Sequence, residues 1–473
     1  MKHPLSAIRL SRVEYPKIGF PKEPRPELTG SIFRQRLSRL RKEMKAASFD
    51  ACVVYGDREH FANLAWLTNY DPRFEEALLI VRPTGTPILI VGNEGMAYSQ
   101  VAKLPVRRVL HQSFSLLGQP RGTSRDLALE LREAGLDAAD IIGVAGWKSF
   151  GPGETAEPGA TLEIPEFIAQ AIRRAGRKTS LVRNANILFM HAETGLRMTY
   201  EPEQIAEFEW IATSNSEALL RGFRNLRAGM TEYEACAGMQ TNGLPFSAHP
   251  VFVTGPRFAQ CFMPSPTSKV IRKGEPAMAT CTYQGANTCR FGWIARNSKD
   301  LPKGCQGYVE NVAAPYFHSQ VRWYEALRIG ATGNDIHHAV RDLLDPLGWS
   351  FGLNVGHQIA MDEWTNSPVF EGSTLKVRSG MYFQCDYLPL TGGPEIGAYA
   401  EDGVIVADAS LRASLKESFP KAWRRFQLRR KFMIETLGIA LPDDLLPMSN
   451  FPAAVIPFLL APDHCLRLLS KSQ

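Results

Sequence analysis

Hydrophobic residues recur at helical spacing soon after the start of the chain. Phe33, Leu37, Leu40 and Met44 fall on one face of a helix that begins near Ser31. Further apolar and amphipathic segments predict strands at 51–55, 77–81, 87–91 and 141–145, and helices at 59–67 and 163–175. This mixed alternation predicts one α/β domain over residues 31–190, preceded by a proline-rich and charged arm over residues 1–30.

A long amphipathic helix is predicted over residues 199–229. Pro202 lies in its first turn, and apolar residues line one face, which Asn215 alone interrupts. Thr231 and Glu234 then form the pattern of a capping box at the start of a second helix. Later periodicity predicts strands at 250–253, 277–282, 291–295, 381–386 and 397–406, and helices at 306–327 and 335–344. We therefore predict a second α/β domain over residues 195–410 and a helical extension over residues 411–473.

The composition is that of an ordinary globular protein. The 473 residues are 44% hydrophobic and 22% charged, with a formal net charge of +6, and these values exclude whole-chain disorder and fibrous folds. A basic run near the C-terminus predicts a solvated helix face rather than a nucleic-acid patch; it consists of Arg424, Arg425, Arg429, Arg430 and Lys431. We expect no nucleic-acid and no membrane partner, because the chain has no zinc-finger or RNP-type pattern and no apolar stretch of spanning length.

Cysteine usage and the first residues of the chain predict a cytoplasmic protein. None of the eight cysteines forms a C-x-x-C pair, and several lie in apolar runs, which is typical of reduced thiols. Residues 1–15 lack the apolar core and the small-residue cleavage site of a signal peptide.

Common catalytic motifs are missing from the sequence. It contains no G-x-S-x-G elbow, no Walker A loop, no G-x-G-x-x-G fingerprint after a strand and no H-E-x-x-H helix. The sequence therefore gives no motif evidence for four enzyme classes: serine hydrolases of the common type, P-loop hydrolases, Rossmann dehydrogenases and zincins.

A series of short motifs, in order, resembles another family. They are Tyr200–Ile205, Ala228–Glu232, Val253–Gly255, Lys273–Gly274, Gly285–Arg296, Gly330–Asp335, Gly356–His357, Gly380–Met381 and Glu401–Asp402. Together they resemble the creatinase/aminopeptidase P/methionine aminopeptidase family, also called peptidase M24. The resemblance implies an N-terminal creatinase-type domain with a mixed sheet, a C-terminal pita-bread domain and a homodimer. In such a dimer we expect the apolar tail at residues 451–461 to cover the dimer seam or the partner's pocket.

The resemblance also implies a degenerate metal site. Metalloenzymes of this family hold two ions with two Asp, one His and two Glu, and the corresponding positions here are Tyr283, Trp293, His357, Asp386 and Glu401. Trp offers no lone pair to a metal and excludes an ion by its bulk. We therefore predict no metal and no cofactor, as in creatinase and ectoine hydrolase, which this chain resembles most in character.

The expected site combines proton-transfer groups with a cation-binding wall. We expect His357, Cys261 and Glu401 to be catalytic, with His357 moving protons and Cys261 as nucleophile or proton donor. Two neighbouring carboxylates should raise the pKa of one, giving a candidate acid. The expected substrate-binding residues are Tyr283, Trp293, Asp386, Asp362 and Arg296, with the two aromatic rings stacking on a cationic group. Structural alternatives remain: Cys261 as a buried hydrophobe, Trp293 as a filler of the metal volume, and Asp386 and Glu401 as partners of Arg296.

The leading prediction is a metal-independent, creatinase-like enzyme that cleaves a C–N bond in a small nitrogenous or zwitterionic metabolite. One alternative is an elimination like that of DMSP lyases, which the chain resembles at Thr254–Arg257 and Asp362–Trp364. Another is a non-catalytic binding protein with this fold. A proline-directed peptidase requires a single metal ion bound by His357, Asp386 and Glu401.

Overall fold

Strand β1 (Ile8–Arg12), near the start of the chain, pairs antiparallel with the last strand, which spans His464–Leu468. The structure is a computed structural model that describes residues 5–469. Tertiary contacts divide the described chain into two units, one of residues 27–198 and one of residues 5–26 together with 199–469. No helix in the described part is long and apolar enough to cross a membrane.

The unit of residues 27–198 contains a mixed six-stranded sheet. Its strands are β2 (Ala51–Gly56), β3 (Ala77–Val81), β4 (Ile88–Val91), β5 (Arg107–Leu110), β6 (Ile141–Ala145) and β7 (Leu181–Asn184), in the order β5-β4-β3-β2-β6-β7. Its helices are α1 (Gly30–Ala46), α2 (Ala62–Thr68), α3 (Asn93–Tyr98), α4 (Leu127–Glu133), α5 (Glu166–Ala175) and α6 (Ile187–Met190). Strands β2, β6 and β7 run parallel, and β2, β3 and β4 alternate in direction. The predicted mixed α/β character is confirmed.

The other unit contains a larger sheet. Besides β1, the strands of this unit are β8 (Phe246–Thr254), β9 (Pro276–Tyr283), β10 (Ala286–Trp293), β11 (Ser350–Phe351), β12 (His357–Gln358), β13 (Tyr382–Gln384), β14 (Pro389–Leu390), β15 (Tyr399–Val406), β16 (Leu445–Pro447) and β17 (His464–Leu468). Strands β11 and β14 pair with each other, and β17 pairs with β1, outside the larger sheet. Its helices are α7 (Pro202–Asn225), α8 (Glu232–Ala237), α9 (Pro256–Cys261), α10 (Ala314–Ala326), α11 (Gly333–Leu344), α12 (Ala409–Ser418) and α13 (Pro420–Lys431). The main sheet has the order β12-β13-β15-β10-β9-β8, and β16 pairs with β15.

Strand β10, the second strand of the β9–β10 hairpin, begins at Ala286, earlier than the sequence pattern predicts. The predicted strand at 291–295 is instead β10, which pairs along its whole length from Ala286, opposite Tyr283, to Trp293, opposite Pro276. The two-residue turn at 284–285 makes this possible, because Gly285 takes a φ of +107°. Polar residues in the middle of β10 hide the strand from an analysis of apolar runs.

The predicted capping box of α8 is confirmed. The Glu234 amide donates to Thr231 Oγ1 at 3.2 Å, and the Thr231 amide donates to the Glu234 carboxylate at 2.7 Å. The helix thereby fixes Glu232, which is fully buried and accepts hydrogen bonds from Thr254 at the end of β8.

Helix α7 is buried on its polar side as well as on its apolar side. Glu209 and Thr213, both fully buried, face α13: Arg429 donates to both at 2.6 Å, and Arg425 donates to Glu209 at 2.8 Å. The predicted solvated face is therefore wrong for Arg425, Arg429 and Arg430, of which Arg430 donates to two backbone carbonyls. Arg425 and Arg429 neutralise the buried Glu209 carboxylate, and Arg430 donates to backbone carbonyls of the same unit.

The apolar tail packs against its own chain. Phe451 and Leu459 are fully buried, and the Leu459 amide donates to the Trp293 carbonyl at 2.9 Å. The guanidinium of Arg290 donates to the carbonyls of Phe451 and Ala454 from within the sheet. The expectation that this tail covers a dimer seam or a partner's pocket is wrong for these side chains, since their apolar surface is already covered.

We expect Arg429→Ala to lower the free energy of unfolding by about 3–5 kcal/mol, because it leaves the buried Glu209 carboxylate with less compensation. Urea unfolding followed by circular dichroism measures the change. The matched control is Arg424→Ala, an exposed position on the same helix, which should change the free energy by less than about 0.5 kcal/mol. Equal effects of the two variants would show that the network does not stabilise the fold.

Candidate active site

One imidazole and three carboxylates meet at the end of the main sheet. His357 Nε2 lies 3.2 Å from Asp386 Oδ2, 3.4 Å from Glu363 Oε1 and 3.8 Å from Glu401 Oε1. His357 is fully buried, Asp386 and Glu401 nearly so, while the Glu363 side chain is 33% exposed. We call these four residues the His357 cluster, and Glu363 is the member whose side chain reaches solvent.

Strand pairing explains why these residues meet. His357 in β12 lies opposite Gln384 at the end of β13, and Asp386 follows two residues after that strand ends. Strand β15 runs beside β13 and carries Glu401. Glu363 comes from the loop that follows β12, so only this carboxylate does not depend on strand geometry.

Tyr399 and Asn287 hold the carboxylates in place. The Tyr399 hydroxyl lies 2.5 Å from Asp386 Oδ1 and 2.8 Å from Glu401 Oε2, and it is the donor to either oxygen. Asn287 Nδ2 donates to Glu401 Oε2 at 2.8 Å. Each of these carboxylates therefore has one oxygen held by the protein and the other directed toward His357.

The β9–β10 hairpin presents uncharged groups to the cluster. Thr280 and Thr282 both donate to Asn287 Oδ1, at 2.9 and 2.8 Å, and this fixes the Asn287 amide with its nitrogen toward Glu401. Cys289 lies between Thr280 and Glu401 in the register of the three strands. Directly opposite residues share a face, so this hairpin offers two hydroxyls, a thiol and an amide, but no carboxylate.

Burial and mutual charge shift the pKa values of the cluster. Burial would lower the pKa of His357, but the nearby charges of Glu363, Asp386 and Glu401 outweigh it and hold that pKa well above its usual value. Burial and the charge of Asp386 raise the pKa of Glu401 to about 8. Burial also raises the pKa of Glu363. At neutral pH His357 is therefore an imidazolium, and the acid expected of the carboxylate pair is Glu401.

Trp364 and a backbone carbonyl orient the imidazole. The Trp364 ring stacks on His357 with centroids 4.0 Å apart and planes 12° apart. His357 Nδ1 lies 3.1 Å from the Gln358 carbonyl, to which it donates. Nε2 is consequently the ring nitrogen that faces the three carboxylates.

The cluster fits one metal ion. Its four ligand atoms lie within 4.8 Å of one another. Ligands held at about 2.0–2.2 Å from a common ion lie about 3–4 Å apart, which matches the distances from His357 Nε2. Among residues 5–469, moreover, no aligned hydrogen-bond partner exists for two buried atoms, His357 Nε2 and Glu401 Oε1. A second ion would need further anionic ligands, and the hairpin supplies none.

Family comparisons agree with this architecture. Residues 211–408 match metallopeptidase family M24, and residues 36–146 match the creatinase/prolidase N-terminal domain. The chain belongs to the creatinase/aminopeptidase P family. Its two units accordingly contain a creatinase-type N-terminal domain and a pita-bread domain, as the resemblance implied. No curated protein matches the sequence.

Solved structures of this family share the fold at low sequence identity. A prolidase from Thermococcus sibiricus is 15% identical, with 80% of this chain and 95% of that chain covered and a TM-score of 0.61. An Xaa-Pro dipeptidase from Bacillus anthracis is 16% identical, with 80% and 96% covered and a TM-score of 0.59. An X-Pro aminopeptidase from Thermotoga maritima MSB8 is 16% identical, with 79% and 95% covered and a TM-score of 0.58.

Three of the predicted site residues meet, and the two predicted aromatic residues lie elsewhere. His357, Asp386 and Glu401 belong to the cluster. Tyr283 alternates to the face opposite Thr280 and Thr282, where its ring stacks on Phe246 with centroids 5.0 Å apart. Trp293 shares the face of Asn287 but lies six residues further along β10, about 20 Å away, and its ring packs edge-on against Tyr308. The expectation that both rings line the metal volume is corrected by this register.

The other three predicted residues, Cys261, Arg296 and Asp362, are not members of this group of four. Cys261 is exposed at the end of α9. Arg296 is exposed, and its amide donates to Asp300 at 2.8 Å, so it is not the partner of Asp386 and Glu401. Asp362 is half-buried next to Glu363, and its charge raises the pKa of Glu363.

Sequence reasoning missed Glu363, Asn287 and Tyr399. Glu363 lies inside the quoted motif Asp362–Trp364, but nothing in a loop sequence says which of two neighbouring acids points inward. Tyr399 could have been found from alternation, since it lies two residues before Glu401 in one strand. Asn287 required the correct start of β10.

We expect Glu401→Gln to become more stable relative to the wild type as the pH rises from about 4.5 to about 8. In that window folded Glu401 keeps a proton that the unfolded chain has lost, so rising pH destabilises only the wild type. The difference between the two melting temperatures, measured across the window, checks this. Glu371→Gln, at an exposed position, is the control and should show no trend; parallel curves for Glu401→Gln and wild type would contradict the assignment.

Proposed function

We propose that the chain is a hydrolase that cleaves a C–N bond in a small cationic or zwitterionic molecule at the His357 cluster, without a dinuclear metal centre. One observation carries the proposal: a buried imidazole faces three carboxylates, while the neighbouring hairpin presents only uncharged groups. The family fold is that of hydrolases, which supports the reaction class.

The charge of the site favours a cationic substrate. With Glu401 protonated, the other two carboxylates, when ionised, still outweigh one imidazolium, and buried negative charge is most stable beside a cation. Trp364, 37% exposed and stacked on His357, offers an aromatic face at the solvent side of the cluster. This face takes the place of the stacking that was expected from Tyr283 and Trp293.

The geometry supports a water-mediated cleavage. Glu363, the solvent-exposed carboxylate, takes a proton from water as the water oxygen bonds to the substrate carbon. The C–N bond breaks, and His357 donates its Nε2 proton to the leaving nitrogen. Glu363 and His357 are 3.4 Å apart, so the proton gained by one returns to the other and the cycle closes without an added reagent.

Asp386, Glu401 and Tyr399 position this pair. Asp386 and Glu401 hold the imidazolium, and Tyr399 bridges the two carboxylates from behind. The role of Cys261 as nucleophile or proton donor stays a prediction, which Cys261→Ala tests.

A second candidate is a hydrolase that uses one metal ion. It is favoured by the two buried atoms without aligned partners, His357 Nε2 and Glu401 Oε1, which lie 3.8 Å apart and face each other. His357, Glu363, Asp386 and Glu401 would hold the ion, which when bound would lower the pKa of a water molecule and polarise a carbonyl. Tyr399 and Asn287 would then hold two of the ligands in orientation.

We expect a substrate of this enzyme to raise the melting temperature of the protein with EDTA present, because a ligand of the native state stabilises it. The panel is creatine, ectoine, guanidino acids, betaines, DMSP and short proline peptides, the last because related structures are named for X-Pro substrates. Turnover of a hit, followed by proton NMR, should fall by about 10²–10⁴-fold in Glu363→Gln and in His357→Gln. The control Glu371→Gln should keep full turnover. A hit that Glu363→Gln cleaves at the wild-type rate would exclude the proposed base.

We expect the EDTA-treated protein to keep its turnover if the metal-free mechanism holds. Elemental analysis and titration with Mn²⁺ and Zn²⁺ separate the two candidates. Binding of about one ion per chain, lost in Asp386→Asn but kept in Glu371→Gln, together with activity that depends on the ion, would replace the metal-free mechanism by the one-ion mechanism.

A further inference from the structure

A strongly basic cavity lies in the unit of residues 27–198, remote in sequence from the His357 cluster. Its volume is about 890 Å³, and six cationic side chains line it: Arg132, Arg173, Arg174, Arg177, Lys178 and Arg183. Glu157 is the carboxylate among the lining residues. The cavity is within the size range of small-molecule sites.

The six cations come from four segments of the chain. Arg132 lies in α4, Arg173 and Arg174 in the last turn of α5, Arg177 and Lys178 in the following loop, and Arg183 in β7. Cations at the end of α5 stabilise the helix dipole there, which accounts for two of them. Arg132 donates to the Arg174 carbonyl at the end of α5, and Arg177 donates to the Ala138 carbonyl, whereas Lys178 and Arg183 have no such helix-end role.

Ion pairing leaves much of this charge uncompensated. Arg174 donates two hydrogen bonds to Asp126, at 2.6 and 2.8 Å, and Arg177 pairs with Asp140. No ion pair of Arg132, Arg173, Lys178 or Arg183 occurs among residues 5–469. Six cations thus face three carboxylates, those of Glu157, Asp126 and Asp140, and three positive charges remain in excess.

The edge of the sheet adds a backbone donor. Strand β7 is the outermost strand, and the amides of Leu181 and Ala185 donate to the carbonyls of Asp140, just before β6, and Val144 in β6. In a parallel ladder alternate amides point to opposite sides, so the amide of Val182, a lining residue, points away from β6 on the outer edge of the sheet. Such an amide next to guanidinium groups is a typical arrangement for an anionic oxygen.

We propose that this cavity binds an oligophosphate, a compact anion with closely spaced phosphate groups. Arginine is suited to phosphate because its planar guanidinium donates two parallel hydrogen bonds. No aromatic side chain is among the lining residues, so a nucleobase would find no ring to stack on. The phosphates are therefore the recognised part, whether they come from inorganic polyphosphate or from a nucleoside triphosphate.

Calorimetric titration of the full-length protein at about 50 mM salt tests the proposal with sodium tripolyphosphate, ATP, adenosine and single-stranded DNA of about 20 nucleotides. We expect tripolyphosphate and ATP to bind with similar dissociation constants and adenosine not to bind. ATP binding without tripolyphosphate binding would overturn recognition through the phosphates. Absence of binding by both tripolyphosphate and ATP, or tighter binding of the DNA than of tripolyphosphate, would overturn the proposal.

Matched variants separate a site from general charge. Arg173→Glu with Lys178→Glu should weaken tripolyphosphate binding by about tenfold or more. Lys42→Glu with Lys45→Glu produces the same net charge at exposed positions of α1 outside the cavity, and should leave the dissociation constant nearly unchanged. Equal weakening by both pairs would reduce the effect to net charge and overturn the proposal.

Discussion

The structure of the pita-bread domain depends on balancing the charge around one buried imidazole. Three carboxylates surround His357, and burial would drive each toward its neutral form if it stood alone. Together they stabilise the imidazolium, which in turn keeps them close to one another. Tyr399 and Asn287 extend this balance into the sheet by donating to carboxylates of the cluster, and Thr280 and Thr282 in turn donate to Asn287. The site is therefore a network in which no single group sets its own protonation.

The register of the β9–β10 hairpin determines what that network can hold. Family metalloenzymes combine two aspartates with a histidine and two glutamates, whereas this hairpin offers Glu401 the Asn287 amide, which Thr280 and Thr282 hold in place. Hydroxyls and an amide cannot neutralise a second cation, so the anionic part of the site lies on the β12, β13 and β15 side. Glu363 adds one carboxylate there, from a loop rather than from a strand, which makes the acidic side the one that solvent reaches.

Sequence patterns predicted the elements whose apolar residues are uninterrupted. Strands β3 and β6 lie at the predicted residues because both are continuous apolar runs, and the order of short motifs identified His357, Asp386 and Glu401. Strand β10 was displaced because Asn287 and Arg290, which serve the cluster and the tail, break its apolar pattern. Tyr283 and Trp293 were assigned to the site by counting along the chain. Tyr283 lies on the opposite face of the sheet, and Trp293 lies on the same face as Asn287 but six residues further along β10. Neither the inward direction of Glu363 nor the burial of the basic run in α13 is encoded in local periodicity; both depend on what packs opposite.

Two consecutive residues of β15 connect the site to the far side of the sheet. Glu401 points to His357, while its neighbour Asp402 points to the other face, where it accepts hydrogen bonds from Arg290 and from the Ala453 amide in the apolar tail. A single peptide bond thus joins the carboxylate of the candidate active site to the anchor of the last segment of the chain. The tail thus supports β15 at Asp402, the residue next to Glu401. The C-terminal segment is therefore anchored directly beside the candidate active site, with no loop or interface between them.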